Sequence, residues 1–346
     1  MRAVEVVAPG QWRLVERPVP EPGPGEVVVA VAASGICGTD LRIVAGDYGH
    51  ARLPVVIGHE FSGVVHAVGE GVADLAVGDL VAADPNLHCG VCRWCRQGAW
   101  NLCEDARAVG VSLPGAMAEY VAVPADVTVR LPAGTDPAAA AMIEPLSCVL
   151  HAVDRVGGID GGSVLVYGGG AIGLLFLVVA RRLGAVVDVV EPHEPRRALA
   201  TRLGARTTAA SGPQLGEGEY HLVLDASGAR SAIQDGVGRL ATRGTFLQMG
   251  VAPSGARVEY SPYAIYERER RFVGSNSVAD KFVAACELLP ELAGQVAPLV
   301  TASFPLEDFG AALAAMADPA TVKVQLVPNP VGAGADVPAL APGDDR

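Results

Sequence analysis

The chain has 346 residues, half of them hydrophobic and 18% charged, with a formal net charge of −12. That length exceeds what one hydrophobic core usually organises, so two domains are expected. An acidic balance without a lysine/arginine block argues against a nucleic-acid surface and an anionic membrane surface, and a neutral or cationic small molecule fits better as partner.

The N-terminal MRAVEVVAPGQW has neither the apolar core nor the cleavage site of a signal peptide. A cytoplasmic setting is therefore expected, in which cysteines are metal ligands more often than disulfides. Short valine-rich runs, RAVEVV, WRLVERPV and EVVVAVAAS, are separated by Pro and Gly and read as strands. Further runs at 61–68, 77–83 and 119–130 extend a β-rich unit with long loops. From about residue 150 the texture changes. SVLVYG, VVDVVE, YHLVLDAS and GTFLQMGV read as strands alternating with helical AIGLLFLVVARRLG, PRRALATRLG and RSAIQDGVGRLAT, the signature of a parallel sheet covered by helices. The uncharged stretch Ser163 to Ala180 reaches transmembrane length, but its glycines fit a buried strand, turn and helix. After about 277 two helical segments and the strand-like VKVQLVP break the alternation and are expected to rejoin the first unit. The expected division is 1–146 with 278–330, and 147–277, followed by a Gly/Pro/Ala/Asp-rich disordered tail over 331–346.

Five of the seven cysteines fall between Cys37 and Cys103. Cys89, Cys92, Cys95 and Cys103, spaced 3, 3 and 8 apart on a loop with Gly90 and Gly98, can close a tetrahedral zinc shell, and the reading is a structural staple. An iron–sulfur cluster would also use four cysteines. A second, open site is expected from Cys37, His59, Glu60 and Glu144. A thiolate and an imidazole suit zinc, and an exchangeable position admits a substrate oxygen. Gly58, Gly63 and Gly69 flank His59 as if the backbone required them, and Glu144 is an acid in the apolar run MIEPLSC, where an unpaired carboxylate is costly.

In the second unit, YGGGAIG follows a strand and opens a helix. Gly168, Gly170, Ile172 and Gly173 there form the dinucleotide-binding turn G-x-G-x-x-G. Glu191, 18 residues after Gly173, can bind the adenosine ribose 2′-OH and repels a 2′-phosphate, which favours NAD over NADP. Arg196 and Arg197 counter this, since an arginine there can accommodate that phosphate.

At these residues the chain resembles the zinc-dependent medium-chain alcohol dehydrogenase family, especially its polyol (sorbitol) and threonine dehydrogenase-like branch. Gly58, His59, Glu60, Gly63, Gly69 and Val72 match its signature in full, CGTD and EPLS match as well, and the resemblance runs from residue 1 to about 328. It implies an α/β protein made of a GroES-like β-rich catalytic domain and a Rossmann domain, two zincs per chain, and a homodimer or homotetramer. It also implies that Cys37 and His59 hold the catalytic zinc with Glu144, that Glu60 ligates directly or in some states, that Thr39 passes the alcohol proton outward, and that Lys323 lies near the pyrophosphate. Arg42 stands where many relatives carry a histidine ending the proton relay.

The expected reaction is reversible oxidation of a secondary alcohol (a polyol, sugar, cyclitol or amino-alcohol) to a ketone with NAD. Threonine-type or simple secondary alcohols are the alternative substrates. A non-catalytic nucleotide-binding protein is the alternative of another class, and a zinc-free quinone reductase-like member would lack the Cys89 cluster. Cys148 and Cys286 are expected to be buried thiols without a role.

Overall fold

The computed structural model describes residues 1–329; the expected tail lies outside them. The first unit is built on a seven-stranded sheet. Its order is Thr128–Arg130, Leu80–Ala83, Glu60–Val68, Glu26–Gly35, Lys323–Leu326 and Val300–Phe304, with Tyr120–Pro124 also pairing with Glu26–Gly35. The 119–130 run is thus two strands, interrupted by the 3₁₀ turn Ala125–Val127. A smaller sheet orders Gln11–Glu16, Arg2–Ala8 and Val55–Val56. Alternating valines explain the central strand. Val27, Val29 and Val31 pack with Phe61, Val65 and Val81 in one apolar cluster.

The second sheet has six strands, ordered Thr207–Ala209, Val186–Val190, Ser163–Tyr167, Tyr220–Asp225, Leu240–Gln248 and Arg271–Gly274. Every pairing in it is parallel. By position in the chain this is the order 3-2-1-4-5-6 of a doubly wound dinucleotide fold, whose ligand crevice opens at the carboxyl ends of the first and fourth strands. Ser163–Tyr167 is buried over four consecutive residues, as a parallel strand with helices on both faces must be. The helix Ala171–Arg182 follows directly, buried without interruption from Gly173 to Ala180. The uncharged stretch is therefore a strand, a turn and a core helix.

The last strands do return to the first sheet. Gln325 pairs with Gly35 and Leu326 with Ser34, which brings Lys323 beside the loop that carries Cys37. The helix Ile143–Arg155 is absent from the sequence reading. Pro145 near its start reads as a break, yet Ile143, Leu146, Val149 and Ala152 recur at helical spacing and are all fully buried. They share one core with Leu174, Phe176 and Val178 and with Phe282, Leu289 and Leu292. Each such side chain contributes about 1.5–3 kcal/mol by leaving water. Residues Phe282–Leu299 are long and apolar enough to cross a membrane by length and composition. Phe282, Ala285, Leu289, Leu292 and Val296 are nevertheless buried in that same core, which accounts for their apolarity.

Candidate metal and coenzyme site

Cys37 lies two residues beyond the strand Glu26–Gly35 and is the N-cap of the helix Gly38–Ala45. Its backbone N–H donates to Asp40 Oδ2 at 2.8 Å, the reciprocal half of a capping box. Asp40 is fully buried and was not anticipated. Its other oxygen accepts from Gly58 N–H at 3.3 Å and lies 3.5 Å from His59 Nδ1, though not aligned for a hydrogen bond. A carboxylate behind a histidine turns the opposite ring nitrogen toward a metal. The acid three residues after a helix-opening cysteine was the available signal. Gly58 has φ +99°, and a Cβ there would meet Met117 N at 2.6 Å, so the chain can place His59 only through glycine.

Ligand atoms of Cys37, His59 and Glu60 all lie within 4.8 Å of one another. Glu60 is buried, and Gly35 makes room for it, since a Cβ on Gly35 would stand 2.2 Å from Glu60 Oε2. Lys323, expected near the pyrophosphate, lies against Glu60. Its Nζ donates to Glu60 Oε1 at 2.9 Å, Glu60 Oε2 at 2.6 Å and Ile36 O at 3.3 Å, so its three donors are committed next to the proposed metal ligands. The register that sets Lys323 against residue 36 is a long-range pairing with no local signature.

Glu144 opens the helix Ile143–Arg155 and stands outside the mutual 4.8 Å cluster, but within electrostatic reach of it. Withdrawal from water pushes its carboxyl up to about 7; His59 and Lys323 oppose that shift and Glu60 adds to it. Burial lowers the His59 pKa, but Asp40 and Cys37 outweigh it and hold the ring well above the ordinary histidine value. Such a proton must leave when a metal binds. Cys148, expected to be buried, is half-buried with its Sγ 3.7 Å from Glu144 Oε1. Cys286 is buried, as expected. Thr39 is half-buried on the first turn after Cys37. Arg42 lies over the Tyr48 ring at 5.5 Å, and as a permanently charged group it cannot take up a proton.

The four remaining cysteines converge. Cys89, Cys92, Cys95 and Cys103 place their sulfurs within 4.8 Å of one another, Cys89 and Cys95 at 3.9 Å. Backbone N–H groups of Cys92, Cys95 and Asp105 donate to the sulfurs of Cys89, Cys92 and Cys103 at 3.3, 3.5 and 3.4 Å. The backbone donor of Cys95 brings Cys92 down to about 6, whereas burial pushes Cys95 up to about 12. Donors aimed at sulfur suit thiolates around a cation, so the set fits a closed zinc shell. The open set, with one thiolate, one imidazole and carboxylates backed by Asp40, fits zinc as well.

At the crevice of the second sheet, Gly173 packs so tightly that a Cβ would stand 1.9 Å from Gly168 O, whereas Gly170 has open space around it. That leaves the first turn of the helix Ala171–Arg182 clear for an anion, as a dinucleotide turn requires. Glu191 is buried with Oε2 accepting from Gly169 N–H at 2.7 Å and Oε1 from His193 N–H at 2.9 Å. Ile172 is half-buried on the first turn of that helix. Arg196 donates to Thr321 O at 2.9 Å, and Arg197 to Glu191 O at 2.8 Å.

A doubly wound dinucleotide fold joined to a β-rich unit that carries an open Cys, His and Glu cluster defines a class: metal-dependent dehydrogenases of two-domain build. Comparison with known proteins narrows it. Residues 23–133 match the alcohol dehydrogenase GroES-like domain and residues 171–291 the zinc-binding dehydrogenase domain. The chain is 36% identical to D-altritol 5-dehydrogenase of Agrobacterium fabrum over 94% of its own length and 99% of the relative's. It is 34% identical to L-threonine 3-dehydrogenase of Bacillus subtilis over 91% and 94%. A zinc-binding dehydrogenase of Sinorhizobium meliloti, solved with NADP bound, superposes with a TM-score of 0.89 at 34% identity over 94% and 99% of the two chains. The chain belongs to the zinc-dependent medium-chain dehydrogenase family, in its polyol and threonine dehydrogenase branch.

Proposed function

We propose that the protein oxidises a secondary alcohol of the polyol type reversibly to its ketone, with NAD as hydride acceptor and zinc held by Cys37, His59, Glu60 and Glu144. The observation that carries this reading is the mutual approach of Cys37, His59 and Glu60, with Glu144 reaching toward them from a helix packed on the coenzyme-binding sheet. Zinc bound there supplies the Lewis acidity that acidifies the alcohol hydroxyl, and the nicotinamide supplies the hydride sink.

The chain's own groups do the rest. Asp40 orients the His59 ring, and Lys323 neutralises Glu60 so that two carboxylates can share one site. Thr39 Oγ1 takes the hydroxyl proton and passes it outward. Arg42 cannot act as the next acceptor, so the proton leaves to solvent. The Gly168, Gly170, Ile172 and Gly173 turn is assigned to the pyrophosphate and Glu191 to the adenosine ribose, and an acid at that position favours NAD. NADP in the S. meliloti relative makes this choice of coenzyme a point to be measured. Cys89, Cys92, Cys95 and Cys103 are assigned a structural zinc, which makes two per chain.

We assign 1–146 with 278–330 to the catalytic unit and 147–277 to the coenzyme unit, supported by the strands each sheet draws from. The helix Ile143–Arg155 runs through the first boundary and ties the two together. A homodimer or homotetramer is supported by the edge of the six-stranded sheet, where Arg271–Gly274 has no outer neighbour among the described residues. Phe272, Tyr260, Tyr263 and Tyr266 are 44, 58, 66 and 82% exposed around it. Light scattering should give two or four times 35.4 kDa, and a monomer mass would refute this assignment. A cytoplasmic setting follows from the need to keep the thiols reduced.

The reading is tested by assaying polyols, cyclitols, threonine and simple secondary alcohols with NAD and with NADP. A polyol oxidised to a ketone with NAD preferred is expected. Preference for NADP would overturn the role given to Glu191, and no turnover of any secondary alcohol would overturn the reaction.

A further inference from the structure

We infer that Cys148 is a positioning residue for Glu144, its thiol holding that carboxylate toward the metal ligands. The inference rests on the proposed catalytic metal site. Four residues apart on one helix, Glu144 and Cys148 share a face, and the Sγ to Oε1 distance of 3.7 Å is a thiol hydrogen bond. Among the described residues no other side chain donates to Glu144, although a buried lysine donates twice to its neighbour Glu60.

The two acids are thus held unequally. Glu60 is bound through both oxygens by Lys323 and restrained. Glu144 has a single weak donor, which leaves most of its lone pairs free for a metal, yet sets its rotamer against repulsion from the nearby Glu60 carboxylate. At neutral pH an ordinary thiol is protonated, so it donates without adding a charge to a site that already contains a thiolate and two carboxylates. Valine fills the same space and cannot donate. Serine can.

Cobalt(II) placed in the catalytic site reports its ligand field directly, so the test compares Cys148→Val and Cys148→Ser with the parent protein, each checked for an unchanged melting temperature. Cys148→Val should shift the cobalt ligand-field bands and lower kcat/KM for the alcohol by about ten-fold, the low end for a residue that orients a metal ligand. Coenzyme affinity should not change, and Cys148→Ser should restore both the spectrum and the rate. Parent-like spectra and rates in Cys148→Val, or equal losses in the two variants, would overturn the inference. So would loss of a thiolate-to-cobalt charge-transfer band in Cys148→Ser, because Cys148 would then be a ligand itself. Cys37→Ser serves as the control for the underlying reading: if it leaves the cobalt spectrum unchanged, the metal site is elsewhere and that reading fails independently.

Discussion

Lys323 shows how much a single residue's role depends on its partner. Its side chain is 6% exposed and Glu60's 2%, and the pair is closed by a backbone carbonyl. Removing one partner of such a buried pair costs more than the pair itself contributes, because the other charge stays in a poor solvent. Lys323→Met should therefore destabilise the metal-free protein by about 3–5 kcal/mol. The double variant Lys323→Met with Glu60→Gln should recover most of the loss, measured by urea denaturation. A single variant as stable as the parent would show that Glu60 does not need its lysine. Asp40 belongs to the same scale, since one buried carboxylate accepts from the Cys37 and Gly58 backbones and lies 3.5 Å from the His59 ring.

Among the elements, the strand Val186–Val190 carries a carboxylate in its middle. Asp188 is buried and accepts from Arg206 Nε at 2.9 Å and Tyr220 Oη at 2.8 Å, tying the residue before the adjacent strand Thr207–Ala209 to the start of Tyr220–Asp225, two strands away on the other side. Burial would raise its pKa, but Arg206 and Tyr220 prevail and hold it below the ordinary carboxylate value. A depressed folded-state pKa contributes stability that is complete above the unfolded value of about 4 and lost as pH falls through the folded one. Asp188→Asn should thus lower stability at neutral pH and flatten its fall below about pH 4. Equal acid slopes in parent and variant would contradict this.

Much of the element plan was legible in the sequence because parallel strands are continuous apolar runs between glycines, as in Ser163–Tyr167. The helix Ile143–Arg155 was not, since Pro145 beside its start reads as a break, although Ile143, Leu146, Val149 and Ala152 do recur at helical spacing. Cys37, His59 and Glu60 could be picked out by type and by the glycines around them. The partners of Lys323 could not, because sheet register across 263 residues has no local trace.

At the scale of the whole molecule, the metal cluster hangs from the seven-stranded sheet while Glu144 and Cys148 come from a helix whose body belongs to the core beneath the coenzyme-binding sheet. The proposed site therefore draws its groups from both sides of the division between the two sheets, as the proposed hydride transfer requires. The loop that carries the four-cysteine cluster also touches the second sheet's unit, with Asn101 Nδ2 donating to Asn276 O at 2.8 Å.

The most direct test of this assembly is a joint measurement of zinc content, coenzyme binding and alcohol-driven NADH formation in the parent and in Cys37→Ser. The parent should hold about two zincs per chain, and the variant about one, with NADH binding retained and turnover abolished. A Cys37→Ser protein that keeps both zincs and still oxidises the alcohol would contradict the account.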